Sequence, residues 1–170
     1  MEGRVRLGKR TKELAASLKP QEIAIISHPD LDAVGALGLI DAGVIAVINT
    51  EDSLTCRYPN LGPLLLIDSG IKLLDKVGEE IFSKLKDGDV VSIAGRRVLH
   101  NGQTVGIGSV VTRYVVEERT RLAKHNLANE LDRFVTNTLL YAFREKSKIF
   151  APLALPSIAV EIAGRPVVVV

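Results

Sequence analysis

Three ionisable side chains, His28, Asp30 and Asp32, sit within the run Ser27-His28-Pro29-Asp30-Leu31-Asp32-Ala33-Val34-Gly35-Ala36. An imidazole and two carboxylates this close can hold a divalent metal that activates water. Alternatively, either carboxylate can cap the helix that follows, by accepting from its first free N–H groups. The run comes directly after an apolar stretch, Glu22 to Ser27 (EIAIIS), and so lies at the mouth of a strand-to-helix turn, where α/β proteins place ligands. A second polar run is Ser53-Leu54-Thr55-Cys56-Arg57-Tyr58-Pro59-Asn60-Leu61-Gly62-Pro63. The Arg57 guanidinium can grip a carboxylate or phosphate with two parallel hydrogen bonds, and Tyr58 and Asn60 stand beside it. The competing reading pairs Arg57 internally with Asp30, Asp32 or Asp52. Cys56 has no histidine at local spacing and reads as a buried structural thiol rather than a nucleophile. The ligand-binding candidates are therefore His28, Asp30, Asp32, Arg57, Tyr58 and Asn60. No residue is assigned a catalytic role and no metal ligand set is assigned, with helix capping the preferred reading of the aspartates.

Composition bounds what these residues can serve. The chain has 170 residues, 46% of them hydrophobic, enough for a cored domain without disulfide or zinc staples. Its single cysteine excludes an internal disulfide and points to a reducing, cytoplasmic compartment. Lys and Arg total 22 against 20 Asp and Glu, and aromatics make up 4%. A chain so nearly neutral and so poor in stacking rings is not expected to bind nucleic acid. The one basic cluster, Arg4, Arg6, Lys9, Arg10 and Lys12, reads as a solvated arm. The apolar run from Ala33 to Ala46 is too short to span a bilayer and is interrupted by glycines and Asp41, so no direct membrane insertion is expected.

The elements that must position these residues follow from periodicity. Residues 1–20 read as the basic arm with a short helix, Thr11 to Leu18. Glu22 to Ser27 is a strand buried on both faces, Leu31 to Leu39 a helix closed by Gly43, and Val44 to Ile48 a second strand. Together they predict a parallel, right-handed βαβ unit. Leu64 to Ile67 and Ile71 to Leu74 are short apolar runs, and Glu79 to Leu85 is a short helix. Val90 to Ala94 and Gln103 to Thr112 are strands, with His100-Asn101-Gly102 as the hairpin turn between them. Residues 21–112 thus form a mixed α/β domain. Residues 113–150 hold a long helix, free of proline and glycine from Val115 to Ser147. Leu127, Leu131, Phe134, Thr138 and Tyr141 recur at spacings of four and three, with a second seam of Leu122, Val135, Leu139 and Ala142. Such a face packs on its own domain or on a partner, and a homodimer is predicted. Residues 151–170 read as a linker and the first strand of a further domain, because four exposed C-terminal valines need a sheet to pair with.

Several of these segments carry resemblances. The Ser27–Ala36 run resembles the opening motif of DHH-type phosphoesterases, which would imply metal-dependent phosphodiester hydrolysis using the His28/Asp30/Asp32 turn. That pattern also needs further carboxylates and a later Asp-His-His cluster, whereas the histidines here are His28, His100 and His125, none adjacent to another.

Taken together, EIAIISHPDLDAVGALGLIDAGVIAVINT, CRYPNLGPLLLIDSGIKLLDKVG, LKDGDVVSIAG and AGRPVVVV resemble the N-terminal region of SteA-like cytokinetic-ring proteins, also labelled thiamine pyrophosphokinase-like, from Arg4 to Val170. The resemblance implies a non-catalytic regulatory or assembly domain in bacterial cell division. It places nucleotide and magnesium binding, if any, in a pyrophosphokinase-like domain after Val170, with no cofactor in the present chain. It also implies a membrane-associated coiled-coil partner protein. A thiamine pyrophosphokinase, transferring pyrophosphate from ATP, is the enzymatic alternative for the whole protein. In fold, Gly43 to Gly102 resembles the swivelling domain of phosphohistidine phosphotransfer enzymes, through Leu85-Lys86-Asp87-Gly88-Asp89-Val90-Val91, with no histidine in the loop from Ser53 to Asn60. The expected fold is therefore α/β: a three-layer β/β/α domain followed by a long C-terminal helix and a truncated strand.

Overall fold

The computed structural model describes residues 1–149. The predicted linker and truncated strand of residues 151–170 lie outside the described residues. The order is β1 (Glu2–Gly8), α1 (Thr11–Ala15), β2 (Ile23–Ile26), α2 (Ala33–Asp41), β3 (Ala46–Asn49), α3 (Gly62–Asp68) and β4 (Lys72–Asp75). There follow α4 (Ile81–Lys84), β5 (Val90–Ala94), β6 (Arg97–His100), β7 (Gln103–Ile107), β8 (Ser109–Val111) and α5 (Arg113–Ile149). The eight strands lie in the order β7-β6-β5-β1-β2-β3-β4-β8.

A strand at Glu2–Gly8 corrects the reading of this segment as a solvated arm. Arginines alternate there with Gly3, Val5 and Leu7, a two-residue period that lets Val5 be fully buried while the charges face outward. The strand serves two partners. Glu2, Gly3 and Arg4 pair antiparallel with β5, and Val5 to Gly8 pair parallel with β2. Strands β1 to β4 are mutually parallel, so the predicted parallel βαβ unit extends to three successive crossovers. The single strand predicted from Gln103 to Thr112 is two, divided at Gly108. Strand β7 pairs with β6, and β8 crosses to the far edge to pair with β4. A Cβ on Gly108 would lie 2.5 Å from the Asp75 carbonyl oxygen, so only glycine lets the chain turn there. The run Leu64 to Ile67 falls in helix α3, with Pro63 at its start.

Every residue of β2 and β3 is buried, as the uninterrupted apolar run predicts. Their side chains feed two cores. Ala24, Ile26, Val47 and Leu73 meet Leu14 of α1, Ala36 and Leu39 of α2, Leu66 of α3 and Val116 of α5. Ile23, Ile25, Ala46, Ile48 and Leu74 face the other way, against Ile81 of α4 and Val91, Ile93 and Val98 of β5 and β6.

Met1–Glu130 forms one unit and Leu131 onward another. In the first, α5 buries Val116 and Ala123. In the second, every side chain from Leu131 to Arg144 is exposed. Among the described residues no helix is long and apolar enough to cross a membrane.

Candidate functional site

Two polar regions gather around the carboxyl ends of the parallel strands. The first is the loop from Thr50 to Asn60, which follows β3. Its hydrogen bonds run inward. The Asp30 carboxylate accepts from the Thr55 N–H at 2.7 Å and from the Thr55 hydroxyl at 2.6 Å. The Asp30 N–H donates to the Asp52 carbonyl at 2.9 Å, which tethers the two loops from the other side. Asp30 takes a left-handed backbone (φ 51°), a conformation that aspartate tolerates better than most residues. Asn49, fully buried at the end of β3, accepts from the His28 N–H and donates to the His28 carbonyl and the Ser53 hydroxyl. Ser53 in turn donates its hydroxyl (2.6 Å) and its N–H (3.0 Å) to Asp75 at the end of β4. Asn60 donates to the Ser53 carbonyl at 3.1 Å.

The charges of this loop are balanced locally. Asp52 pairs with Lys76 and with Arg119 of α5, each at 2.6 Å. Burial pushes the Asp52 carboxyl up, but hydrogen bonds from Lys76, the Leu54 N–H and Arg119 together hold it below its ordinary value. Asp75 goes the other way. Burial, above all, pushes it up to about 6, outweighing the two hydrogen bonds from Ser53. Lys76 and Arg119 therefore take the place beside Asp52 that the sequence reading offered to Arg57, which makes no ion pair among the described residues. Arg57 and Tyr58 are exposed, with Tyr58 49% accessible. Cys56 is half-buried rather than buried, with its thiol 3.6 Å from the Leu54 carbonyl.

The second region is a cleft of about 560 Å³ between α1 and α2, outside the ends of β1 and β2. Lys9, Arg10, Thr11 and Lys12 line one side, Ser27 and His28 the end, and Asp32, Val34, Gly35 and Gly38 the other side. Of the two aspartates read as possible caps, Asp32 caps α2, accepting from the Gly35 N–H at 2.6 Å. Asp30 does not, because the helix begins at Ala33 rather than Leu31 and the Asp30 carboxylate is taken by Thr55. His28 Nδ1 lies 2.8 Å from the Thr11 hydroxyl. Lys9 pairs with Glu79 at 3.0 Å and Arg10 with Glu13 at 2.9 Å. Glu79 also accepts from the Ser27 hydroxyl, and these bonds, that from Lys9 foremost, hold its carboxyl below the ordinary range.

His28, Asp30 and Asp32 thus turn to three different partners: Thr11, Thr55 and the Gly35 N–H. Among the described residues no group of three or more His, Cys, Asp or Glu side chains could hold a metal ion. Of the six candidates, the cleft brings together His28 and Asp32 alone. Lys9, Arg10 and Lys12 were missed as site residues because the basic segment was read as an arm. The alternation of Arg4-Val5-Arg6-Leu7 is the signal that a strand precedes them, and the sheet order puts them just beyond the carboxyl end of a central strand.

Compared with known proteins, the chain matches no family model, and no curated protein matches it significantly.

Proposed function

We propose that this chain is a non-catalytic regulatory and assembly module of a cytoplasmic, SteA-like, thiamine pyrophosphokinase-like protein of bacterial cell division, and that it associates with a second copy of itself through α5. One observation carries the assembly reading. Leu122, Leu127, Leu131, Phe134, Val135, Leu139, Leu140, Tyr141 and Phe143 are all large, apolar and exposed on one helix. Scattered exposed apolar residues are ordinary, but a run of this density on one element marks an interaction surface. A second copy suits it because Leu127, Leu131, Phe134, Thr138 and Tyr141 keep the alternating four-and-three spacing of a self-pairing helix. Nearby charges of both signs, among them Asp132 and Arg144, allow a partner carrying the same sequence to be complementary.

The two cores on opposite faces of the sheet, one closed by helices and the other by β5, β6 and α4, support a three-layer β/β/α arrangement of the swivelling-domain kind. The cellular role rests on the sequence resemblance.

Sedimentation equilibrium tests the assembly reading. A dimer is expected for the wild-type chain and a monomer for Leu131→Asp combined with Phe134→Asp, whose exposed positions leave the folded sheet intact by circular dichroism. A wild-type monomer at the highest attainable concentration would overturn self-association. A dimer that survives both charges would place the contact elsewhere and overturn the role given to α5.

A further inference from the structure

We propose that the cleft between α1 and α2 binds a small phosphomonoester, with the phosphate at the Lys9–Lys12 side and an apolar body over Val34. This inference stands apart from the assembly reading, since it uses neither α5 nor a second copy.

The volume, about 560 Å³, suits a small molecule. Its polar lining is one-sided. Three of the twelve positions following the start of the chain, Lys9, Arg10 and Lys12, supply cations to it, against one carboxylate, Asp32. That carboxylate already accepts from the Gly35 N–H, so it is a poor ligand for a cation and serves the helix instead. Lys9 and Arg10 are steered by Glu79 and Glu13, while Lys12 is exposed and makes no hydrogen bond or ion pair among the described residues. An ammonium ion with no protein acceptor beside two tethered cations is suited to an anion with several acceptor oxygens. The Ser27 hydroxyl is already given to Glu79 and the Thr11 hydroxyl lies against His28, so the further donor on offer is the His28 ring. His28 has Nδ1 engaged with Thr11, and its Nε2 makes no hydrogen bond among the described residues, which leaves that nitrogen for a ligand.

The opposite wall is apolar and built to be shallow. Gly35 and Gly38 put backbone where side chains would fill the space. A Cβ on Gly35 would come within 3.2 Å of both the His28 ring and the Asp32 carboxylate, and one on Gly38 within 3.4 Å of Ala15 Cβ. Val34 stands at the rim with 75% of its surface exposed, an apolar surface left open among the described residues. Cations on one side and bare apolar surface on the other match a phosphate joined to an apolar group better than inorganic phosphate alone.

The test uses phenyl phosphate, inorganic phosphate and phenol as probes of the whole chain, followed by titration calorimetry and by the His28 ring resonances. Phenyl phosphate is expected to bind more tightly than either of the others and to shift the His28 signals. Lys12→Ala should weaken phenyl phosphate about tenfold, the loss of one charge-assisted hydrogen bond. Lys84→Ala removes an equal charge from a residue that does not line the cleft and should change nothing. Val34→Ser should reduce the preference for phenyl phosphate over inorganic phosphate. Both Lys12 and Val34 are exposed, so neither variant threatens folding. No binding of phenyl phosphate, or binding equally weakened by Lys84→Ala, would overturn the proposal. So would binding to phosphatidic acid vesicles without binding to soluble phenyl phosphate, which would make the patch a lipid-headgroup contact.

Discussion

The loop from Thr50 to Asn60 and the cleft beside Lys9 to Lys12 are both polar, and both lie beyond the ends of parallel strands, yet they do opposite work. In the loop, Asp30, Asn49, Ser53, Asp52 and Asp75 are engaged with one another or with Thr55, Lys76 and Arg119. In the cleft, Lys12, the His28 Nε2 and the exposed face of Val34 have no partner among the described residues. Density of polar residues therefore does not distinguish a binding site from a brace. What distinguishes them is that the loop's carboxylates are held by partners from distant elements, even though its buried Thr50 Oγ1 and Asn60 Oδ1 have no partner among the described residues, whereas the cleft leaves a cation and an imidazole nitrogen open.

Breaking the brace should cost stability, and the largest loss is expected where the loop meets the turn after β2. Gly62 begins α3 against the Leu31 and Asp32 backbone, and an added Cβ would lie 2.1 Å from the Leu31 carbonyl oxygen. Backbone cannot swing aside as a side chain can. Gly62→Ala should lose more than about 3 kcal/mol in urea denaturation, at the upper end of overpacking costs. A loss under about 1 kcal/mol would show that α3 shifts freely and that the loop is not held there.

A smaller loss is expected for Asp30→Ala. It leaves the Thr55 N–H and hydroxyl without their acceptor in a site where Asp30 is 6% exposed, and about 2–3 kcal/mol is the expected loss. Arg57→Ala, only a few residues along, should stay within about 0.5 kcal/mol because its guanidinium is exposed and makes no ion pair among the described residues. Equal effects from the two variants in the same denaturation series would erase the distinction between brace and surface.

One further effect depends on pH. The Asp75 carboxyl is pushed up to about 6 in the fold, from an ordinary 3.8, chiefly by burial. Below about pH 4 both folded and unfolded chains carry the proton, and Asp75 imposes no penalty. As pH rises towards 6 the unfolded chain releases its proton first, so stability falls, and the penalty is complete above the folded value. Asp75→Asn keeps an acceptor for the Ser53 N–H and can donate to the Ser53 hydroxyl. Its stability relative to wild type should therefore rise between about pH 4 and 6, by on the order of 3 kcal/mol. A relative stability independent of pH would mean that Asp75 is not buried as a neutral acid.

Much of the scaffold was legible because its signals are local. EIAIIS carries no polar position on either face, which suits a strand between two layers, and Ile23–Ile26 is that strand. Asp32 stands one residue before α2 and caps it, and Gly43 closes the following turn with φ 71°. The prediction of a helix from Val115 to Ser147 matches α5 within two residues at each end, since nothing there interrupts helical hydrogen bonding. The site was less legible. Arg57 looked the stronger anion ligand by residue type, but whether a side chain is free depends on what the fold brings beside it, and Arg119 and Lys76 come from 67 and 24 residues beyond Asp52.

Local periodicity and chain stiffness by themselves determined the buried strands, the capped α2 and the length of α5, because these depend on residues a few positions apart. Only the tertiary structure decided that Glu2–Gly8 joins two halves of a sheet, that Gln103 to Val111 divides between its opposite edges, and that Lys9, Lys12 and His28 share a cleft. Strand pairing and the meeting of loops are set by contacts between distant segments, whose free energy depends on burial and competing partners that no local window of sequence contains.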